Sequence, residues 1–363
     1  MTTDAPRPRI ATGRVRLLGS GIALPGEAVG TDALCATIEA RFGVPAQRLG
    51  RRLGARVQVE TRHLCRDFAA ALEPPRRGHR NPELAASALQ MALGRAQVRP
   101  ADIGYLLTHT ATPARALPGG SAEVAARVGI KGPHAEFRQA CTGFANALQF
   151  AFALLREPGA APVAIVGSET GSVYFDPRRL GDDPGQWVNL LQMGDGAAAV
   201  VLGADQDASD APTIEAAFFG QLPHAPAAGL ALRWGGSDSI GDAALEPHAA
   251  PHFDHDFDAV ARHGPALFEA GCHALASRGF ALNAADFVIP HQASGSVADA
   301  FAAHHGIDRA KVSDHGRRVG NLGSASIWAA LHDALPALGR GARCLVLGAE
   351  ATQYSFGGFA LQR

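Results

Sequence analysis

Three side chains in this sequence have the surroundings of a reactive centre: a cysteine, a histidine and an asparagine. Cys141 lies in Arg138-Gln139-Ala140-Cys141-Thr142-Gly143-Phe144, a small-residue turn leading into TGFANALQFAFALL, residues 142 to 155. That stretch is apolar on almost every face, which predicts a buried helix. A cysteine at the amino end of such a helix meets unpaired N–H groups and the positive end of the macrodipole. The position predicts a depressed thiol pKa and a usable nucleophile. The competing reading is a packed structural cysteine, since free Cys is among the most buried residue types. His291 ends the apolar run of AADFVIPHQAS, and Asn321 sits in GNLGSAS. Taken singly, the histidine reads as a hydrogen-bonded core residue and the asparagine as a turn residue.

The elements that must position them repeat along the chain. ADIGYLLTHTAT (101 to 112) matches AADFVIPHQAS (284 to 294), each with Ala-Asp before a short strand ending at a histidine, His109 or His291. In each copy a helix follows and closes on Gly-Ile, at Gly129-Ile130 and Gly306-Ile307. VAIVGSET (163 to 170) matches CLVLGAEA (344 to 351), again a strand ending in Gly-small-Glu. Three matches in one order at one offset indicate duplication, hence two related α/β halves, 1–205 and 206–363. The first half carries Cys141 and the second His291 and Asn321. If the halves pack about a pseudo-twofold axis, the three segments converge at its centre, at the carboxyl ends of strands where α/β sheets bind ligands.

Other local features carry less. Residues 14 to 24 read as a strand running into a glycine turn, but Gly19-Ser20-Gly21 lacks the third glycine of a dinucleotide fingerprint at the right place. Thr31 reads as the N-cap of a helix over 31–42, and Asn81 as the cap of PELAASALQMALGRA. RLGRRLGAR (48 to 56) is strongly basic, either a solvated face or a docking patch for an acidic partner.

Composition bounds the rest. The 363 residues are 47% hydrophobic and 18% charged, ordinary for a globular protein with a sizeable core. A net charge of −1 supplies no overall field for nucleic acid or an anionic membrane. No apolar run is long enough to span a bilayer, and the polar, Pro-rich start lacks a signal peptide's apolar core. Five scattered cysteines without CxxC or zinc spacing predict a reduced, cytoplasmic protein.

The motifs ACTGF (140 to 144), GDGAAAVVL (194 to 202), PHQAS (290 to 294) and GNLGSAS (320 to 326), in this order, closely resemble the ketoacyl-acyl-carrier-protein synthase III family of the thiolase superfamily. The resemblance runs from about residue 14 to the end. It implies a duplicated five-layered αβαβα sandwich, a homodimer, and a Cys141–His291–Asn321 site. It implies a reaction too: an acyl thioester loads Cys141, and a malonyl thioester then condenses with it by decarboxylation. Fatty acid or secondary metabolite biosynthesis would be the setting. Coenzyme A or acyl-carrier-protein thioesters serve as substrates, with no bound cofactor or metal. Backbone N–H groups of Cys141 and Gln353 would form an oxyanion hole. Leu117, before Pro118, would reach across the dimer to close the partner's acyl pocket. Gly194-Asp195-Gly196 is read as a structural turn.

Departures from the family pattern bear on substrate delivery. The stretch that usually grips the CoA adenine has no tryptophan, although Thr61-Arg62-His63 resembles its end. Val173 and Ser296 stand where basic residues are usual. Insertions at 176 to 190 and 222 to 253 are rich in Gly, Pro, Ala and His. His248, His252, Asp254, His255 and Asp256 raise a metal site, but without helical ligand spacing. Two other classes remain beside the synthase. Acyl transfer to a hydroxyl or amine goes with an altered asparagine in such families, and a non-catalytic partner subunit with a lost cysteine. A papain-like Cys/His/Asn hydrolase would require a CGSCW-type surround, which is missing.

Overall fold

Strand β2 (Arg14–Ala23), preceded by the two-residue β1 (Arg9–Ile10), does not end at its glycines, where the sequence suggested a turn. The glycines instead admit a helix. A Cβ on Gly19 would lie 2.4 Å from the Ala92 carbonyl oxygen, and one on Gly21 2.3 Å from that of Ala88. Both carbonyls belong to α3 (Asn81–Ala96), which presses on the strand. The computed structural model describes residues 7–70, 77–177, 184–205, 210–223, 227–233 and 252–363.

Between β2 and α3 come β3 (Val29–Gly30), α1 (Thr31–Phe42), α2 (Ala46–Val57) and β4 (Thr61–Arg62), with β3 and β4 paired. Both expected caps are one residue off. Gly30 and Arg80 hold the N-cap positions, and Thr31 and Asn81 are the first helical residues. Their side chains have tertiary partners instead. Thr31 Oγ1 donates to the Val59 carbonyl at 2.6 Å, and Asn81 Nδ2 donates to the Thr112 carbonyl at 3.0 Å.

The first half continues with β5 (Tyr105–His109), α4 (Gly120–Val128), β6 (His134–Phe137), α5 (Gly143–Leu154), β7 (Val163–Glu169), α6 (Pro184–Gln192) and β8 (Gly196–Ala204). The second half has β9 (Thr213–Gln221), the antiparallel pair β10 (Leu230–Arg233) and β11 (His252–His255), then α7 (Phe257–Ala276) and β12 (Phe287–Pro290). After these come α8 (Val297–His305), α9 (His315–Val319), α10 (Ser326–Ala334), β13 (Arg343–Glu350) and β14 (Ser355–Gln362). Strand order is β6-β5-β7-β8-β2 in the first half and β12-β13-β14-β9 in the second. The two orders correspond strand for strand, with one parallel bridge, Val288 to Val312, where a counterpart of β6 would stand. Each half is parallel at its outer strands and antiparallel at the inner ones. They join where β2 meets β9, at Arg14–Glu215, Val15–Ile214 and Arg16–Thr213.

The layers follow from which faces are apolar. Helices α3 and α4 cover the outer face of the first sheet, and α7 and α8 that of the second. Between the sheets lie α5 and α10, whose Phe144, Leu148, Ile327 and Trp328 are wholly buried with residues of both halves. Phe144 and Trp328 meet edge to face at 5.6 Å, contributing about 0.5–1.5 kcal/mol beyond area burial. This is the duplicated five-layered αβαβα sandwich of the thiolase type. The expected division at 205/206 abuts residues 206–209, outside the described set. The 176–190 and 222–253 insertions are described only in part, and among the described residues no helix is long and apolar enough to cross a membrane. Helix α5 is less enclosed than its sequence suggested, since Phe150 and Leu154 are exposed on this chain.

Candidate active site

The turn before α5 is held from the opposite half of the molecule. Glu350, the last residue of β13, accepts from the Thr142 amide at 2.8 Å, the Thr142 hydroxyl at 2.6 Å and the Ala140 amide at 3.4 Å. Gln139 Nε2 donates to Thr142 Oγ1 at 3.1 Å, and Asn146 Nδ2 ties Gln139 back to the helix at 3.0 Å. Cys141 stands in the middle of this cage, half-buried. Its helix starts later than the sequence implied: Thr142 is the N-cap and Gly143 the first helical residue. Beneath it there is no spare space, because a Cβ on Gly143 would lie 2.4 Å from His109 Nδ1.

The cage reverses the expected effect on the thiol. Burial raises the Cys141 pKa well above its ordinary value, and the neighbouring Glu350 and Glu169 raise it further. Backbone donation to the sulfur acts the other way and is smaller. The helix terminus does not win, because a carboxylate already occupies the place where an anion would gain from it. The surroundings therefore favour the protonated thiol over the thiolate.

The second half repeats the device with the partners exchanged. Glu169, the last residue of β7, accepts from Ser324 Oγ at 2.5 Å, Ser324 N at 3.3 Å and Ala111 N at 3.0 Å, and from the Thr112 hydroxyl. Ser324 Oγ also reaches the Gln139 carbonyl at 3.2 Å, stitching the Asn321 loop to the Cys141 turn. Asn321 is fixed at both ends of its peptide: its N–H donates to Gln192 O at 2.7 Å, and its carbonyl accepts from Gly194 N at 3.0 Å. Its Oδ1 accepts from Gly323 N at 2.9 Å and Ser326 Oγ at 3.2 Å. A backbone N–H can only donate, so the amide orientation is set and Nδ2 is left as a directed donor. Asp195 of the GDG turn is structural as expected, accepting from Cys65 N at 2.7 Å and Ser172 N at 3.0 Å.

His291 follows β12, its N–H donating to the Leu347 carbonyl at 2.7 Å, three residues before Glu350 on the adjoining strand. Gln292 locks the loop by donating to Pro290 O at 2.6 Å and accepting from Gly316 N at 2.9 Å. Burial alone lowers the His291 pKa to about 4, so the ring is neutral at ordinary pH. Its Nδ1 is buried and has no hydrogen-bond partner among the described residues. The same hydrogen-bonded framework thus carries the Cys141, His291 and Asn321 segments.

The remaining candidates are more loosely tied. Gln353 lies three residues beyond Glu350 with an exposed side chain, and its carbonyl accepts from Gln221 Nε2 at 2.8 Å. Leu117 is 86% exposed on this chain. Of the residues that raised a metal, Asp254 pairs with Arg233 at 2.9 Å, and Asp256 accepts from Ala259 N at 2.9 Å to cap α7. His255 Nδ1 is 2.6 Å from Asn189 Oδ1, His252 opens β11, and His248 lies outside the described residues. No cluster of three metal-ligating side chains occurs among the described residues. Glu169, Glu350, Ser324 and His109 were not singled out as site residues. The repeated Gly-small-Glu ending was the one signal that could have found the glutamates.

Residues 135–219 match the 3-Oxoacyl-[acyl-carrier-protein (ACP)] synthase III profile, and 275–362 match that of its C-terminal region. A beta-ketoacyl-[acyl-carrier-protein] synthase III of Rhodospirillum rubrum is 31% identical over 283 residues, 77% of this chain and 81% of that protein. A tetronic acid condensing enzyme of solved structure superposes with a TM-score of 0.82 at 28% identity, covering 96% of this chain and 100% of that one. The 3-oxoacyl-(acyl carrier protein) synthase III of Pseudomonas aeruginosa shares the fold, with a TM-score of 0.77 at 23% identity over 96% of this chain and 98% of that one.

Proposed function

This chain belongs to the 3-oxoacyl-[acyl-carrier-protein] synthase III family of acyl-transferring condensing enzymes, and we propose that it carries an acyl group on Cys141 and condenses it with a malonyl thioester. The observation that supports this reading most is the shared framework: Glu350 holds the Cys141 turn from the strand whose Leu347 carbonyl takes the His291 N–H, and Ser324 of the Asn321 loop reaches the Gln139 carbonyl. In the first step Cys141 Sγ attacks the acyl thioester carbonyl, and the departing carrier thiol takes up the proton that Cys141 gives up. The N–H groups of Cys141 and Gln353 stabilise the oxyanion. In the second step the malonyl thioester loses CO2, and negative charge develops on its thioester oxygen. Neutral His291 and the Nδ2 group of Asn321 donate to that oxygen. The resulting carbanion attacks the acyl carbonyl, a C–C bond forms, the C–S bond to Cys141 breaks, and the released thiolate takes a proton from solvent to restore the thiol. The chain acts as a homodimer, in the cytoplasm, in fatty acid or secondary metabolite biosynthesis.

A second reading is favoured by the likeness to the tetronic acid condensing enzyme. A tetronic acid ring contains an ester, so its assembly includes acylation of an oxygen. Transfer from Cys141 to a hydroxyl or amine without decarboxylation is then the alternative. Incubation with a panel of acyl-CoA thioesters and a malonyl carrier, followed by mass measurement of protein and products, separates the two. Product one C2 unit longer with release of CO2 supports condensation. Acyl ester or amide without CO2 supports the alternative, and an unmodified Cys141 in every mixture overturns both.

A further inference from the structure

His109 is the structural counterpart of His291, and the condensation steps leave it without a task. Strand β5 pairs with β7 from Tyr105–Val163 to His109–Gly167, and β12 with β13 from Phe287–Cys344 to Pro290–Leu347. Continuing that register, His291 stands beside Gly348, the equivalent of Gly167 in the second Gly-small-Glu ending. His109 is wholly buried. Its ring fills a slot left by two glycines: a Cβ on Gly143 would lie 2.4 Å from Nδ1, and one on Gly167 2.9 Å from Cε1. The Cβ on Gly167 would also lie 2.2 Å from the Ser324 carbonyl oxygen. The ring therefore packs directly beneath the Cys141 turn and beside the Ser324 loop.

A side chain that only filled this slot would have no need of nitrogens. Among the described residues neither His109 nitrogen has a hydrogen-bond partner, a state that buried polar groups normally avoid. Burial lowers the ring's pKa to about 4, while the Ala140 and Gln139 carbonyls pull it the other way. The neutral ring has one N–H to give, and those carbonyls face it without reaching hydrogen-bond geometry. The peptide between Ala140 and Cys141 carries this direction to the thiol. In a planar trans peptide the carbonyl and the N–H point opposite ways. The Ala140 carbonyl faces His109 and accepts from Gly143 N at 3.0 Å, so the Cys141 N–H points away from the ring. The flanking N–H groups of Ala140 and Thr142 go to Glu350 at 3.4 and 2.8 Å. That of Cys141 has no acceptor in another residue among the described residues.

We propose that His109 is a positioning residue of the oxyanion hole, its ring N–H donating to the Ala140 carbonyl while the Cys141 N–H at the other end of that peptide binds the oxyanion. The inference rests on the acyl-transfer reading and adds a residue to it. A peptide that receives a hydrogen bond at its carbonyl becomes a stronger donor at its N–H, because chains of hydrogen bonds polarise one another. Bonds of this kind are often long in the free protein and tighten as charge develops. The ring acts through the peptide and touches no reacting atom.

The test compares two reactions of Cys141 in the wild type, His109→Met and His109→Gln. Loading from acetyl-, butyryl- and octanoyl-CoA passes through an oxyanion, whereas alkylation by iodoacetamide does not. Met is flexible enough to fill the slot but has no N–H, and Gln keeps a donor. The ratio of loading rate to alkylation rate should fall about tenfold in His109→Met. In His109→Gln it should stay within about threefold of the wild type. Equal ratios in the wild type and His109→Met overturn the proposal, and so does an equal fall in both variants, which would make the ring packing alone. Circular dichroism verifies folding. Should neither variant fold, NMR of the wild type with 15N-labelled histidine decides. The His109 ring N–H proton should move downfield when Cys141 carries the acyl group, and an unmoved signal overturns the proposal. A wild type that iodoacetamide modifies at Cys141 but no thioester loads overturns the acyl-transfer reading and this one together. Equal ratios overturn this one alone.

Discussion

Glu350 accepts from both the amide and the hydroxyl of Thr142, at 2.8 and 2.6 Å, and so holds the residue next to Cys141 from the far half of the chain. Glu169 holds Ser324 in the same way from the near half. Each half supplies the glutamate that fixes the other half's turn, which explains why both strands end in the same Gly-small-Glu pattern.

Glu350→Gln keeps the shape but replaces an acceptor oxygen with an NH2 group facing backbone donors. We expect a loss of about 1–3 kcal/mol in stability, read from urea unfolding. Because the Glu350 charge raises the Cys141 pKa, its removal should move the pH midpoint of Cys141 alkylation downward. Glu169→Gln should move it the same way by less. A midpoint unchanged in both variants would contradict this electrostatic role.

Cys141 should accept a single acyl group, visible as one adduct by intact-mass spectrometry. Cys141→Ala should show none. An adduct that persists in this variant would place the nucleophile elsewhere, with Cys35, Cys65, Cys272 and Cys344 the thiols to examine.

His291→Ala and Asn321→Ala should separate the two steps. Loading of Cys141 should survive, whereas decarboxylation of the malonyl thioester should fall by on the order of 10²–10³, the usual effect of losing one oxyanion donor. Normal condensation by Asn321→Ala would instead favour acyl transfer to an oxygen or nitrogen.

Acid should destabilise the protein within a defined window. Burial lowers His109, His255 and His291 from the ordinary 6.5 to about 4. Between these values the unfolded chain binds protons that the folded chain refuses, so stability is intact above about 6.5 and declines as pH falls toward 4. The slope is at most about 1.4 kcal/mol per pH unit for each histidine. Urea midpoints measured across that range should fall with pH, and less steeply for His109→Gln. A flat profile would mean that these rings titrate normally.

Leu117→Phe tests the acyl pocket. If Leu117 closes the partner's tunnel, a rigid ring there should cut use of medium-chain primers and spare short ones. Each methylene excluded removes about 0.8 kcal/mol of apolar burial, so the penalty should grow steadily with length. An equal response to all primer lengths, measured as kcat/KM, would reduce Leu117 to a surface contact.

What the sequence determined by itself was the local and the repeated. Periodicity and glycine placement are short-range, so the strands at Tyr105–His109 and Arg343–Glu350 and the helix ends at Gly129 and Gly306 were legible. The duplication and the ACTGF, PHQAS and GNLGSAS motifs carried the fold and the choice of Cys141, His291 and Asn321. Tertiary structure decided the rest, because it depends on partners distant in the chain. The Gly19–Gly21 segment continues as a strand, paired with β8 and with α3 closed against its glycines, and Asn81 bonds with Thr112 rather than capping. The state of the Cys141 thiol was misjudged for the same reason. A helix end next to a cysteine is visible in sequence, but a glutamate more than 200 positions away, buried against that turn, becomes its neighbour only on folding.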